Sequence, residues 1–358
     1  MPCQRRPEAA LLRALGFLIA LLLTLSGGAH AQVMERAAMA GLAPGERLRL
    51  YALTRALDTR RAPPPITQAA RQALQAQGFY HDARRPALLS ADARVTPVLA
   101  WDANINGGFI NDRFDHFGLM FEVDPARMAR AGLVAGARLG AETRLAYGPG
   151  RYLELQGNGE AVWSPRHEIG RANASLSVCS RNHVTGWNFA DLCASTQAGW
   201  RALSSSRSST VSGTLSHLLT AGPAYHQLSL GLARHWQEDG QQNAVTLGWG
   251  AVWNHLTTDI SLTLTDGIPN ETALRRRINA QASWIWKQRP FSLSVWQVDA
   301  RGGLLLGVER QDRLRGLSLS VRPRRGLTVE LTHQQTRSTL ALFSEQRTGL
   351  GLRFDLGR

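Results

Sequence analysis

Along most of this chain, hydrophobic residues recur at every second position. The tail shows it best. In LTVELTHQQTR, Leu327, Val329 and Leu331 alternate with Thr328, Glu330 and Thr332, and in RTGLGLRFDL, Leu350, Leu352, Phe354 and Leu356 alternate with Gly349, Gly351, Arg353 and Asp355. A period of two predicts strands with one apolar face and one small or polar face. The pattern starts at Ala93 with ARVTPVLAWDAN. HFGLMFEVD, GLVAGARLGAETRLAYG and RYLELQGNGEAVW come next, and it continues through stretches such as HQLSLGLARHW, AVTLGWGAVW and RRINAQASWIW to the end. These segments predict 14 to 16 strands.

The N-terminal part reads differently. Arg5, Arg6 and Arg13 precede a short apolar run, Leu15 to Leu25, and Ala29-His30-Ala31 has small residues at the cleavage spacing. Residues 1–31 are therefore expected to be a signal peptide cut before Gln32. Residues 32–90 are expected to form a short helical periplasmic segment. Leu48, Leu50, Tyr51, Leu53 and Leu57 fall at mixed three-and-four spacing, and Pro63-Pro64-Pro65 interrupts that helix. Thr67 is the expected N-cap of a second helix that stops at Gly78. The segment is too short for a substantial core of its own. It is expected to dock on the strand-rich remainder of the chain, to plug it or to bind a partner.

An alternating chain behind a secretion signal predicts an all-β fold: a transmembrane antiparallel β-barrel over residues 91–358, with lipid outside and water within. Both termini facing the periplasm requires an even strand number. Trp101, Trp163, Trp200, Trp236, Trp253 and Trp286 stand at predicted strand ends, where an interfacial aromatic girdle belongs. A soluble sandwich alternates too, but it seldom needs so many strands in one meander with tryptophans at their ends. The expected location is the outer membrane of a Gram-negative bacterium.

Charge adds a question. The formal sum is +14, and Lys287 is the only lysine. Arginine binds carboxylate and phosphate bidentately. An exported chain rarely meets nucleic acid, so the expected partners are outer-membrane lipid, lipopolysaccharide phosphates or anions in a pore. An arginine-biased composition decorating turns explains the sum as well. Cys179 and Cys193 flank a predicted loop in CSRNHVTGWNFADLC. A disulfide there is expected to clip a long loop between neighbouring strands, and closing about 15 residues contributes roughly 3 kcal/mol in the chain-entropy picture.

No catalytic set stands out. Ser216-His217, His333 and Asp115-His116 hold the residue types of nucleophilic catalysis, yet none falls in a recognisable motif. His167, His183, His226, His235 and His255 lack metal-ligand spacing. The asparagine-rich loop Asn104 to Asn111, with Asp112 and Asp115, offers few charges for calcium. No cofactor and no enzymatic activity are expected.

Two stretches carry a resemblance. PVLAWDANINGG, with Trp101, Asn104 and Asn106, resembles the first strand and loop of the surface lipoprotein assembly modifier family, and SLSVRPRRGLTVELTHQQTRSTLALFSEQRTGLGLRFDL resembles that family's closing strands. The resemblance implies a 14-stranded barrel that helps surface lipoproteins reach the cell exterior, with an exported (lipo)protein as partner. Residues 33–90 are shorter than the family's periplasmic helical array. RTGLGLRF also matches the general barrel-assembly signal through Arg347, Gly349, Leu352 and Phe354, with the barrel assembly machinery as the implied partner. Asp355 to Arg358 extend past the usual end of such a signal. The leading expectation is an export-assisting barrel, and the alternative is a passive porin-like channel with anion preference.

Overall fold

The computed structural model describes residues 35–58, 62–82, 84–116, 118–305, 307–324 and 326–354. The predicted signal peptide and the overhang Asp355 to Arg358 lie outside them. Fourteen strands form one antiparallel sheet in which each strand pairs with the next in sequence. They are β1 (Ala87–Asp102), β4 (Gly132–Gly148), β5 (Arg151–Ser164), β6 (Ile169–Thr185), β7 (Asn188–Arg201), β8 (Ser204–Ala221), β9 (Ala224–Gln237), β10 (Gly240–Val252), β11 (Leu256–Thr265), β12 (Ala273–Trp286), β13 (Arg289–Leu305), β14 (Val308–Arg324), β15 (Leu327–Ser338) and β16 (Glu345–Phe354). Between β1 and β4, two short strands, β2 (Arg113–His116) and β3 (Leu119–Glu122), form a separate hairpin. The sheet curls into a nearly closed barrel: β1 and β16 approach each other, but no hydrogen-bonded ladder joins them among the described residues.

The period of two decides which side chain meets lipid. Val95, Leu99 and Trp101 of β1, Leu228, Leu230 and Leu232 of β9, and Leu331 and Leu350 near the closing edge all face outward and are exposed. On a water-soluble protein so wide an apolar surface would drive aggregation. Around a polar interior it is the lipid belt of an outer-membrane barrel, because only a closed or nearly closed strand system satisfies its backbone in hydrocarbon. Trp101, Trp163, Trp200 and Trp236 mark one rim, and Trp286 marks the other.

Four expectations need correction. Strand one begins at Ala87, because a bulge between Leu88 and Ser90 breaks the alternation there and hides the strand's start. LMFE within HFGLMFEVD is β3 of the loop hairpin and lies outside the barrel sheet; a two-strand hairpin has the same period as a spanning strand. The three prolines separate the two helices, as expected, but they also begin the second one in place of Thr67. That helix runs Pro64–Ala76 with Pro63 as N-cap, and Thr67 sits inside its first turn. Proline suits a first turn because it lacks the N–H that has no partner there anyway. The fourth concerns the cysteines. They are bonded, but Cys179 and Cys193 are directly opposite neighbours on β6 and β7 and face the interior. Those strands run on beyond them to a tight turn at residues 185–188. The bond therefore joins two already paired strands instead of clipping a loop.

Helix α1 (Glu46–Leu57) and helix α2 (Pro64–Ala76) form the N-terminal pair. Gly78, with φ +73°, ends α2 as expected. Leu48, Leu50, Tyr51, Ala52, Leu53 and Ala56 of α1 are all buried, whereas Ala70 is the one buried residue of α2. A helix covered on nearly all sides lies inside something. Here it lies in the mouth of the barrel.

Candidate functional site

The first described residues, the end of β16 and the short turns after β4, β6 and β8 lie at one rim, the periplasmic one in a barrel of this kind. There the inward faces of β7 to β10 present Phe189, Leu218, Tyr225 and Val252, which form one apolar cluster with Leu48, Tyr51 and Leu53 of α1. Tyr51 is the anchor. Its hydroxyl shares a 2.9 Å hydrogen bond with Thr220, and its ring meets Trp187 and Tyr225 edge-on at 4.7 and 5.5 Å. The carbonyl of Leu42, just before α1, accepts from the Thr257 hydroxyl of β11 at 3.0 Å. Gly150 in the β4–β5 turn, with φ +65°, links α2 to the rim: its N–H donates to the Gly78 carbonyl at 3.0 Å. A Cβ there would stand 2.8 Å from His183.

The first residues of α1 look into the lumen and enter a charged network. Glu46 accepts two hydrogen bonds from Arg144 at 2.8 and 2.9 Å. Arg47 donates to both oxygens of Asp191 at 2.9 and 2.5 Å and lies over the Phe189 ring. Arg144 also contacts Glu142 and Glu154 at 2.7 and 3.1 Å, and Arg181 joins Glu154 to Asp191 at 2.8 and 3.1 Å. Glu46 carries negative charge in the first turn, where the helix dipole favours it. Above these groups a lumenal cavity of about 450 Å³ is lined by Glu46, Arg47, Gln156, Thr214, Gln227 and Ser229.

Higher in the lumen, Arg171 links Asp102 and Glu160 at 2.6 and 3.0 Å, and Arg138 also pairs with Glu160. Arg310 holds Asp312, and Arg347 holds Glu345 at 2.5 Å. The opposite wall is neutral, built from the hydroxyls of β8 (Ser208, Thr210, Ser212, Thr214) together with Thr246 and Thr263. Trp296 reaches into this space from β13; it lies so close over Gly316 that a Cβ there would sit 2.1 Å from the indole. The net positive charge is thus only partly balanced in the lumen: each of Arg138, Arg144, Arg171, Arg181, Arg310 and Arg347 has a carboxylate, whereas the inward Arg94, Arg277 and Arg322 form no ion pair among the described residues.

The outer mouth is crossed by residues 103–131. Ile105 is fully buried against Val134 and Val162. Asn104 donates to the Gly108 carbonyl at 2.7 Å, and Asn106 donates to Met128 at 2.8 Å while accepting from the Arg130 amide at 2.9 Å. The loop bonds the β7–β8 end through Leu203 N–H to Asn106 O at 2.9 Å. It then bonds the β15–β16 connection, where Asn111 donates to the carbonyls of Ala341, Leu342 and Ser344. Asn104 and Asn106 are therefore clamps of a loop laid over the pore. That role was not legible from the sequence, though asparagine density in an otherwise glycine-rich loop is its one signal. Trp101 faces lipid.

The remaining candidates separate. Ser216 faces the lumen, while its neighbour His217 faces outward and bonds Asn188 at 2.7 Å. His333 also faces outward, bonding Thr348 at 2.8 Å. Asp115 and His116 belong to the outer hairpin. Among the described residues no three His, Cys, Asp or Glu side chains are grouped to hold a metal. In the closing strand Arg347 and Gly349 face inward and Leu352 outward; the Phe354 side chain lies outside the described residues.

No family model and no curated protein matches the chain. Solved structures that overlap it include Pseudomonas aeruginosa OccK10 (OpdN), at 11% identity over 75% of this chain and 100% of that one, with a TM-score of 0.38. OccK1 (OpdK) of the same organism is 12% identical over 74% and 97%, with a TM-score of 0.40. A BenF-like porin from Pseudomonas fluorescens Pf-5 is 8% identical over 74% and 99%, with a TM-score of 0.38. Neither fold nor function rests on likenesses this loose. The strand ladder and the outward apolar belt define the class: an outer-membrane β-barrel, with a helical pair in its mouth.

Proposed function

We propose that the protein is a plugged outer-membrane channel for small polar solutes. The observation that carries this is a hydrophilic lumen whose periplasmic mouth is covered by α1, seated there by one small apolar cluster around Tyr51 and by the ion pairs of Glu46 and Arg47. Fourteen strands about 4.8 Å apart and tilted near 40° enclose a backbone diameter of about 28 Å. Two helices about 10–12 Å across cover most of that opening. Because six lumenal arginines are paired with carboxylates, only the few unpaired ones, such as Arg94, Arg277 and Arg322, are left to favour anions, and ion preference is weak. Planar-bilayer recordings of the intact chain are expected to show bursts of stepwise current with a reversal potential near zero in a salt gradient. A chain that stays silent, both intact and with the helices displaced, would refute the channel.

The unladdered edge between β1 and β16 favours a second reading, in which the barrel assists export of a surface lipoprotein through a lateral seam. It requires that deleting the gene leave at least one surface lipoprotein unexposed. Normal display of all of them ends this reading and leaves the channel untouched.

A further inference from the structure

On the outer wall of β12 to β15, strand register sets Arg276, Asp299, Arg313 and Arg337 side by side on four successive strands. One row nearer the belt, Arg315 stands between Gln297 and Gln335. Arg276 donates to Asp299 at 2.9 and 2.8 Å, Arg313 donates to its other oxygen at 2.9 Å, and Arg315 donates only to Gln297 at 3.1 Å. Arg337 has no carboxylate among the described residues. Two of these four guanidiniums thus share Asp299 and two contact no carboxylate, around an open hollow of about 570 Å³ whose lining also includes Arg275, Arg301 and Asp312.

Like charges directly opposite on paired strands, such as Arg313 and Arg337, destabilise a sheet. A bound dianion reverses that sign, and the planar forks suit phosphate oxygens. The height of the row identifies the source. Arg276 stands ten residues above the periplasmic Trp286 on β12, and Arg337 ten above Leu327 on β15. At about 3.3 Å per residue and a tilt near 40°, each distance is about 25 Å of height, the thickness of the belt. The row therefore lies at the outer headgroup boundary. On β1, β5, β7 and β9 the outer strand ends carry tryptophan; here they carry arginine. Below it, Val295, Leu317 and Leu331 offer apolar wall to acyl chains.

We propose that this patch is a binding site for the phosphorylated glucosamine headgroup of lipopolysaccharide, seated between Arg313, Arg315 and Arg337. The test is native mass spectrometry of the detergent-solubilised full chain with bis-phosphorylated lipid A, the same lipid A dephosphorylated, and phosphatidylglycerol. Wild type should retain the phosphorylated lipid A at least about tenfold better than either competitor, as one or two charge-assisted hydrogen bonds imply. Arg313→Gln with Arg337→Gln should lose most of that preference. Arg207→Gln with Arg234→Gln, outward on β8 and β9, should keep it. Equal retention of dephosphorylated lipid A, equal retention of phosphatidylglycerol, or an equal loss in the β8–β9 control overturns the site. If the first double variant does not show the heat-modifiable mobility of a folded barrel, the wild-type comparison alone decides.

Discussion

Replacing Arg47 and Tyr51 by alanine should change a channel that opens in bursts into one that stays open, with a several-fold larger mean current. Tyr51 is 1% exposed, and α1 has no second aromatic to take over its hydrogen bond to Thr220 or its ring contacts. Truncating a buried aromatic of this kind costs about 3–5 kcal/mol. Arg47 and Asp191 are both largely covered, with side chains 12% and 8% exposed. Removing the arginine leaves the carboxylate to Arg181 alone. Only the docked state of α1 carries these losses, so they act on the plug equilibrium and leave the ladder intact. At about 1.4 kcal/mol per factor of ten, even half of the tyrosine term shifts the docked population about tenfold. The measurement is single-channel recording beside the heat-modifiable mobility of the same sample. Unchanged current from a correctly folded double variant would mean that the helices sit in the mouth without gating it.

Such a plug was open to inference as a possibility but not as a geometry. The three-and-four spacing of Leu50, Leu53 and Leu57 announced helix α1, and its brevity argued that it must lean on something. The contacts that seat it join Glu46 to Arg144 and Arg47 to Asp191, 98 and 144 residues apart. Such pairs depend on which strands are neighbours and in which register, and a slip of one residue exchanges lumen for lipid. The same ambiguity hid the arginines. Arg313 and Arg144 look alike in sequence, yet one faces headgroups and the other the lumen. By contrast, the outward rows of β9 and β15 were readable, because lipid demands apolar residues on one face regardless of partner. The cysteines show the boundary between the two cases: their pairing was legible from spacing and compartment, but their seat within a ladder required the register.

The register also makes the largest expected effect on assembly a matter of one residue. Leu247 faces outward on β10 between Leu230 and Leu262, six residues above Trp253 and therefore about 15 Å up a belt about 25 Å tall. Leu247→Arg should destabilise the barrel by about 2–4 kcal/mol, the cost of a guanidinium near the bilayer midplane. Ser208→Arg, inward on β8, places the same side chain in water. It should change stability by no more than about 0.5 kcal/mol, as surface substitutions do. Urea unfolding in lipid vesicles, followed by tryptophan fluorescence, reads both. A larger loss at Ser208 than at Leu247 would mean that the face assignment is wrong, and the lumenal network and the outer arginine row would then exchange places. A loss at Leu247 alone fixes the register of β10, and through the continuous ladder from β1 to β16 it fixes which arginines meet water and which meet the membrane.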